Sequence, residues 1–261
     1  MKSLSKMFMI IDCFSRSDRE LALADISERT GIAKPTARRL LSSMQKAGYV
    51  EQAKRRKGYS LGIKFFEIGS MVLDNMEINR VARPIVNKLQ QISGETVHLC
   101  VFNGFRPVMI ARRQMDVHPL NTITTIESAP AYCTGVGKVA LAFQEPAVLQ
   151  KVIDDGLRRY TDNTITDEAR LRAELEDIRH RGYSIDNAEH QPDVRCVAAP
   201  IRNSSGAVIG SISVSTVFER LPDDRIPALS ELVVSSADEI SNRLGWEKAT
   251  AARENASLIP H

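Results

Sequence analysis

Near the start of the chain Leu4, Met7, Phe8, Ile11 and Phe14 fall on one helical stripe and predict a helix over about 3–14. The LAL run at 21–23 suffices only for a bridge strand, and 24–30 predicts a second short amphipathic helix. From Gly31 to Val50, GIAKPTARRLLSSMQKAGYV, the pattern is fuller. Pro35 suits a first helical turn, where its missing N–H has no partner. Ala37, Leu40, Leu41, Met44 and Ala47 recur at steps of three and four, so they share one face, and Gly48 marks the stop. Thr36, Arg38, Arg39, Ser42, Ser43 and Lys46 are left to the other face and to the helix start. Residues 49–52 and 59–61, around the turn Lys54-Arg55-Arg56-Lys57-Gly58, predict a hairpin. Three helices followed by a basic-tipped hairpin predict a winged helix-turn-helix.

Beyond Gly62 the segment 63–75 (Ile63, Phe65, Phe66, Ile68, Val72, Leu73) is too apolar for the surface of a monomer, and it predicts a linker helix that packs on a partner. A further helix covers about 78–93. Then HLCVFN (98–103) and PVMIARR (107–113) predict a hairpin, and the β-branched NTITTI (121–126) predicts a strand. CTGVGKVALAF (133–143) is a glycine turn entering a helix. Thr166-Asp167-Glu168 caps a helix with the stripe Leu171, Leu175, Ile178, ended by Gly182. Strands follow at 183–186, 194–201 and 208–216, and a last helix carries Ile226, Leu229, Val233, Ala237, Ile240 and Leu244 on one face. Hairpins interleaved with helices predict an α+β second domain with a mainly antiparallel sheet. The expected division is 1–62 for the winged helix-turn-helix, 63–78 for the linker helix, 79–248 for the second domain and 249–261 for a flexible tail.

Charge adds a polarity to this plan. Residues 1–62 hold thirteen Lys+Arg against six Asp+Glu, +7, and the remainder holds 22 against 26, −4, which sum to the net +3. A basic N-terminal module on an acidic body is an electrostatic footprint for a polyanion. No apolar run reaches the roughly 20 residues that span a bilayer, so no membrane partner is expected. The first apolar run is interrupted by Lys6 and Asp12 and lacks a small-residue cleavage site, which argues against a signal peptide. Cys13, Cys100, Cys133 and Cys196 show no CxxC spacing, which fits reduced thiols in a cytoplasmic protein.

Several further stretches occur together and in order: SGETVHL (93–99), CTGVGKVALA (133–142), TITDEARLRAELEDIRHRGYSIDNAEH (164–190), RCVAAPI (195–201) and GSISVS (210–215). With TGIAKPTARRLLSSMQKAGYV and YSLGIKFFEIG in the N-terminal part, the chain resembles the IclR family of bacterial transcriptional regulators along nearly all of its length. The resemblance implies a winged helix-turn-helix joined by a linker helix to a GAF/PAS-like α/β effector-binding domain. It also implies a homodimer or homotetramer on double-stranded operator DNA, repressing or activating a catabolic operon in response to a small metabolite.

For DNA, Thr36, Arg38 and Arg39 are the candidate base readers, because a recognition helix presents its N-terminal residues to the major groove. An arginine can pair two donors with guanine O6 and N7. Lys34, Ser42, Ser43, Arg55 and Arg56 are candidate backbone contacts. For the effector, the family pattern carried over residue by residue marks Ala129, Gly135, Val136, Asp186, Val194, Cys196, Ser213 and Ser215. Main-chain N–H groups at a Gly-x-Gly turn suit a carboxylate, and Ser213 and Ser215 share a strand face. Asp193 stands where the family often has glycine, which implies a narrower or more acidic cup; Ala129 implies room for something bulkier. The APAYCTGVGKVALAF stretch resembles members that sense sugar acids such as keto-deoxy-gluconate, so a sugar acid or other small hydroxy acid is the expected effector, with aromatic and short keto acids, sensed by other members, as the alternatives.

TGVGKV is not a phosphate loop: Tyr132 replaces the earlier glycine, and Val139 follows the lysine where Ser or Thr belongs. Cys133 or Cys196 with His98 or His190 lacks any local signature of a thiol nucleophile, and separated Cys and His residues are weak evidence for zinc. No catalysis, metal or cofactor is therefore expected. The competing readings are a metabolite-processing enzyme with an appended helix-turn-helix, separable by turnover of the bound acid, and a module whose basic hairpin binds an acidic protein, separable by salt-steep binding to duplex DNA.

Overall fold

The first apolar stripe folds as α1, Ser3–Asp12, in a computed structural model that describes residues 3–15, 17–53, 58–114 and 130–247. Helix α2 is Leu23–Thr30 and α3 is Lys34–Lys46. The turn between them is held by side chains: Ser27 Oγ donates to Ile32 O at 2.7 Å, and Thr30 Oγ1 accepts from Ile32 N at 3.2 Å. Pro35 lies in the first turn of α3. At the other end Gly48 has φ +81°, a region that costs a residue with a Cβ. Its N–H bonds Gln45 O, and Tyr49 N–H bonds Met44 O, the paired bonds that close a helix at a left-handed glycine. Ala47 is the exposed cap rather than the last residue of the apolar face, because the helix has ended at Lys46.

The apolar faces of these helices close a core of Ile10, Leu21, Ile26, Ile32, Ala37, Leu40, Leu41, Met44, Val50 and Tyr59. The wing pairs β1 (Val50–Gln52) with β2 (Tyr59–Leu61), and Leu21 bridges to Tyr59 as a third short edge. Residues 54–57 at its tip, which include Arg55 and Arg56, lie outside the described residues. Helix α4, Lys64–Asn75, buries none of its residues, and Phe66 is 70% exposed. The chain divides into two units, Met1–Asn75 and Met76–His261, so α4 falls with the first.

The second unit is built on a five-stranded antiparallel sheet in the order β4-β3-β7-β6-β5. Its strands are β3 (Thr96–Phe102), β4 (Pro107–Arg113), β5 (Ser184–Asn187), β6 (Val194–Arg202) and β7 (Val208–Val217). Both faces are covered, and alternation sorts the side chains between them. Val97, Leu99, Val197, Ala199, Ile212 and Val214 face α5 (Glu77–Ser93) and α9 (Ile226–Arg243) in one core. Cys100 and Ala198 face α6 (Gly135–Leu141), α7 (Pro146–Asp154) and α8 (Glu168–Arg181) in the other. Asp167 caps α8 by accepting from Arg170 N at 2.9 Å. Helix α7 has no counterpart in the sequence reading, although Pro146 at its start and the buried pair Leu149 and Val152 carry the signal. The strand expected at 121–126, Ala129 and the tail at 249–261 lie outside the described residues.

Candidate DNA interface and small-molecule cavity

The buried face of α3 leaves its polar face in solvent. Lys34, Arg38, Arg39, Ser42 and Ser43 are exposed and Thr36 is half-buried. Arg38 and Arg39 project about 100° apart around the helix, and among the described residues neither forms an ion pair. Ser43 Oγ donates to Arg39 O at 3.2 Å within the helix. The arrangement is one helix presenting two guanidinium groups and several hydroxyls along one accessible side.

The second unit holds a cavity with about 390 Å³ of empty space, the solvent at its opening included. Gly135, Val136, Asp186, Val194, Cys196, Ser213 and Ser215 all line it, although they come from α6 and three strands. The floor is one face of the sheet: His98 and Cys100 of β3, Pro107 and Met109 of β4, Asp186 of β5, Val194 and Cys196 of β6, Ser213 and Ser215 of β7. Thr134, Gly135 and Val136 complete the lining. Two strand hydroxyls pin this helix start to the sheet: Ser184 Oγ donates to Gly135 O at 2.6 Å and Ser211 Oγ to Val136 O at 3.0 Å. A Cβ at Gly135 would stand 2.9 Å from Cys196 Sγ, so any larger residue there would have to displace that thiol. Thr134 Oγ1 accepts from Gly137 N at 3.2 Å and so caps the helix. Asp193 is exposed and does not line the cavity, so the expected acidic narrowing does not occur.

Charge in the cavity is muted. Burial, and next the charge of Glu189, raises the Asp186 carboxyl to about 7. Burial, seconded by Arg112, lowers His98 to about 3, so its imidazole is neutral. Burial, with the Asp186 charge next, pushes Cys196 up to about 12, and burial also raises Cys100. A thiol held protonated beside a neutral ring is the reverse of an activated nucleophile. Among the described residues no cluster of His, Cys, Asp and Glu is arranged to hold a metal ion.

A polar network continues from Asp186. Its Oδ1 accepts from Glu189 N at 2.8 Å across a turn in which Ala188 takes φ +57°. That strained residue is held by Thr161 Oγ1 donating to Ala188 O at 2.7 Å and Thr164 Oγ1 donating to Glu189 O at 2.6 Å. Glu189 Oε1 pairs with Lys138 Nζ at 2.5 Å, and Glu174 lies 3.2 Å from the same ammonium. Lys138, at mid-helix in α6, is 1% exposed. The sequence reading did not place His98, Cys100, Pro107, Met109 or Thr134 in the lining, or Lys138 behind it, and it named His98 only as a rejected partner for a thiol. For His98 and Cys100 the signal was their two-residue spacing within an apolar strand, which places both on one face.

A winged helix-turn-helix followed by an antiparallel-sheet domain with helices on both faces defines a DNA-binding transcriptional regulator. The model of the IclR helix-turn-helix domain matches residues 3–54, and that of the bacterial transcriptional regulator IclR C-terminal domain matches residues 70–242. The chain is 31% identical over 251 residues to the HTH-type transcriptional repressor AllR of Salmonella typhimurium, covering 96% of this chain and 92% of that one. An IclR-type regulator from Silicibacter sp. TM1040 superposes with a TM-score of 0.83 at 25% identity, covering 94% and 97%. An IclR homologue from Microbacterium hydrocarbonoxydans, described as complexed with 4-hydroxybenzoate, shares the fold with a TM-score of 0.77 at 24% identity, covering 93% and 99%. The chain belongs to the IclR family of bacterial transcriptional regulators. No helix among the described residues is long and apolar enough to cross a membrane.

Proposed function

We propose that this protein is a ligand-responsive repressor of a catabolic operon, acting in the cytoplasm, and that a small organic acid is its effector. The observation that carries the reading is that seven of the eight residues marked by the family pattern line one cavity. Its chemistry supports an acid with a hydroxyl or keto oxygen. Val136 stands at the second position of α6, where the helix has no use for the main-chain N–H, and such a donor suits a carboxylate. Asp186, Ser213 and Ser215 offer the hydroxyl-bearing end of a ligand both donors and acceptors. On the DNA side, Thr36, Arg38 and Arg39 stand at the start of the reading helix, one arginine reading a base while the other holds a phosphate, and Lys34, Ser42, Ser43, Arg55 and Arg56 hold the backbone. The exposed apolar side chains of the linker region, Ile63, Phe66, Met71 and Val72, support assembly of a homodimer or homotetramer through that helix. Ligand would then alter the spacing of two DNA-binding heads, a coupling that must act in both directions.

The test is fluorescence anisotropy of the purified protein on its own upstream DNA, with and without short hydroxy and keto acids, sugar acids and aromatic acids. The expected result is tight binding that one class of acid weakens. An acid that binds the protein tightly while leaving operator affinity unchanged, for every acid that binds, would sink the coupling.

A further inference from the structure

We propose that His98 is a specificity-determining residue of the cavity: its Nε2 donates a hydrogen bond to the 2-oxo or 2-hydroxy oxygen of a short carboxylic acid, beside Ser213. This rests on the effector reading of the cavity given above. His98 sits on β3, directly across from Ser213 of β7 in the ladder, so the two side chains emerge on the same face. The ring is 3% exposed and lines the cavity. Its Nδ1 lies 3.3 Å from Ser215 Oγ. Its Nε2 is buried with no hydrogen-bond partner among the described residues, and the buried Ser213 Oγ meets only the weakly bonding Cys196 thiol. Buried polar atoms are nearly always paired, so an unpaired ring nitrogen across the ladder from a weakly satisfied hydroxyl marks a place on the cavity wall for a ligand atom.

The proposed role takes Ser215 Oγ as the donor to Nδ1, an arrangement that leaves the single proton of a neutral ring on Nε2 and makes that nitrogen a donor. Burial and the cross-strand Arg112 both keep the ring neutral. His98 therefore supplies direction without charge. It favours an oxygen acceptor and offers no counter-ion for a second carboxylate. Ser213 Oγ can donate to the same oxygen or accept from a ligand hydroxyl.

The experiment uses the full chain and three acids of one size: pyruvate, lactate and propionate, the last lacking the 2-oxygen. Affinities are measured by isothermal titration calorimetry. The native protein should prefer pyruvate or lactate to propionate by about tenfold or more, as expected where a site is built to pair with one polar atom. His98→Leu should erase that preference while leaving propionate affinity within about threefold, and His98→Gln, which keeps an N–H near the same place, should restore part of it. Thermal melts of both variants check folding; if His98→Leu does not fold, the His98→Gln ratio and a ligand-induced shift of the His98 Nε2 resonance decide. A preference that survives in His98→Leu, or equal affinity of the native protein for all three acids, overturns the role of His98 and leaves the cavity as an effector site. Failure of the native protein to bind any of the three overturns the short-acid effector reading and the role of His98 with it.

Discussion

Helices α3 and α6 each open a candidate site, and they treat their polar residues in opposite ways. α3 buries Ala37, Leu40, Leu41 and Met44 and leaves Lys34, Arg38 and Arg39 in solvent. α6 buries all seven of its residues, Lys138 included. An exposed cation keeps its hydration and is free to meet a phosphate or a base edge; its removal costs the fold little. A buried cation has given up that hydration and is tolerated only because Glu189 and Glu174 sit against it. The contrast separates residues available to a partner from residues that hold a site in shape. The order of stability effects should therefore run opposite to the order of effects on DNA binding.

The sharpest way to break that contrast is Lys138→Met. It leaves Glu189 and Glu174 without their shared partner and should cost about 3–5 kcal/mol in urea unfolding, with loss of acid binding in the cavity. A cost below 1 kcal/mol would mean that Lys138 is not a structural ion. The next effect is one of pH. Because Asp186 is held near 7 against an ordinary value of 3.8, the unfolded chain releases its proton between about pH 4 and 7 while the folded chain keeps it. Stability from this group is thus lost as pH rises through that window, and the loss is complete above it. Asp186→Asn keeps an acceptor for Glu189 N–H and cannot ionise. Relative to the native protein it should gain up to about 4 kcal/mol in stability between pH 4 and pH 8. Urea midpoints at three pH values that differ by a constant amount would refute the raised value.

On α3 the expectation reverses. Arg38→Ala and Arg39→Ala should leave the urea midpoint within about 0.5 kcal/mol of native, as exposed substitutions do. Each should weaken operator binding, by about 1–3 kcal/mol if it reads a base, or with a drop of about one in the salt slope if it holds a phosphate. A salt titration of operator affinity for both variants assigns the two roles, and unchanged affinity in both would remove α3 as the reading helix.

What the sequence disclosed is what short-range periodicity controls. The steps Ala37, Leu40, Leu41, Met44 determined α3 and its exposed cations, and a recognition helix is read from one face of one element. The two-residue alternation of 194–201 and 208–216 likewise carried the strands, and a family motif carried seven lining residues. Ala47 departs from its expected place on the apolar face because the local pattern continues one step past the point where the paired glycine bonds end the helix. Tertiary structure alone decided the rest. The order β4-β3-β7-β6-β5 sets His98 beside Ser213 and Ser215, which are more than a hundred residues distant in the chain. The burial of Lys138 depends on Glu174 and Glu189, 36 and 51 residues away, whose charges no local pattern ties to it. Side-chain periodicity reports which face of an element is apolar; which polar groups meet, and which of them stay unpaired, depends on long-range packing that brings separate strands to one wall.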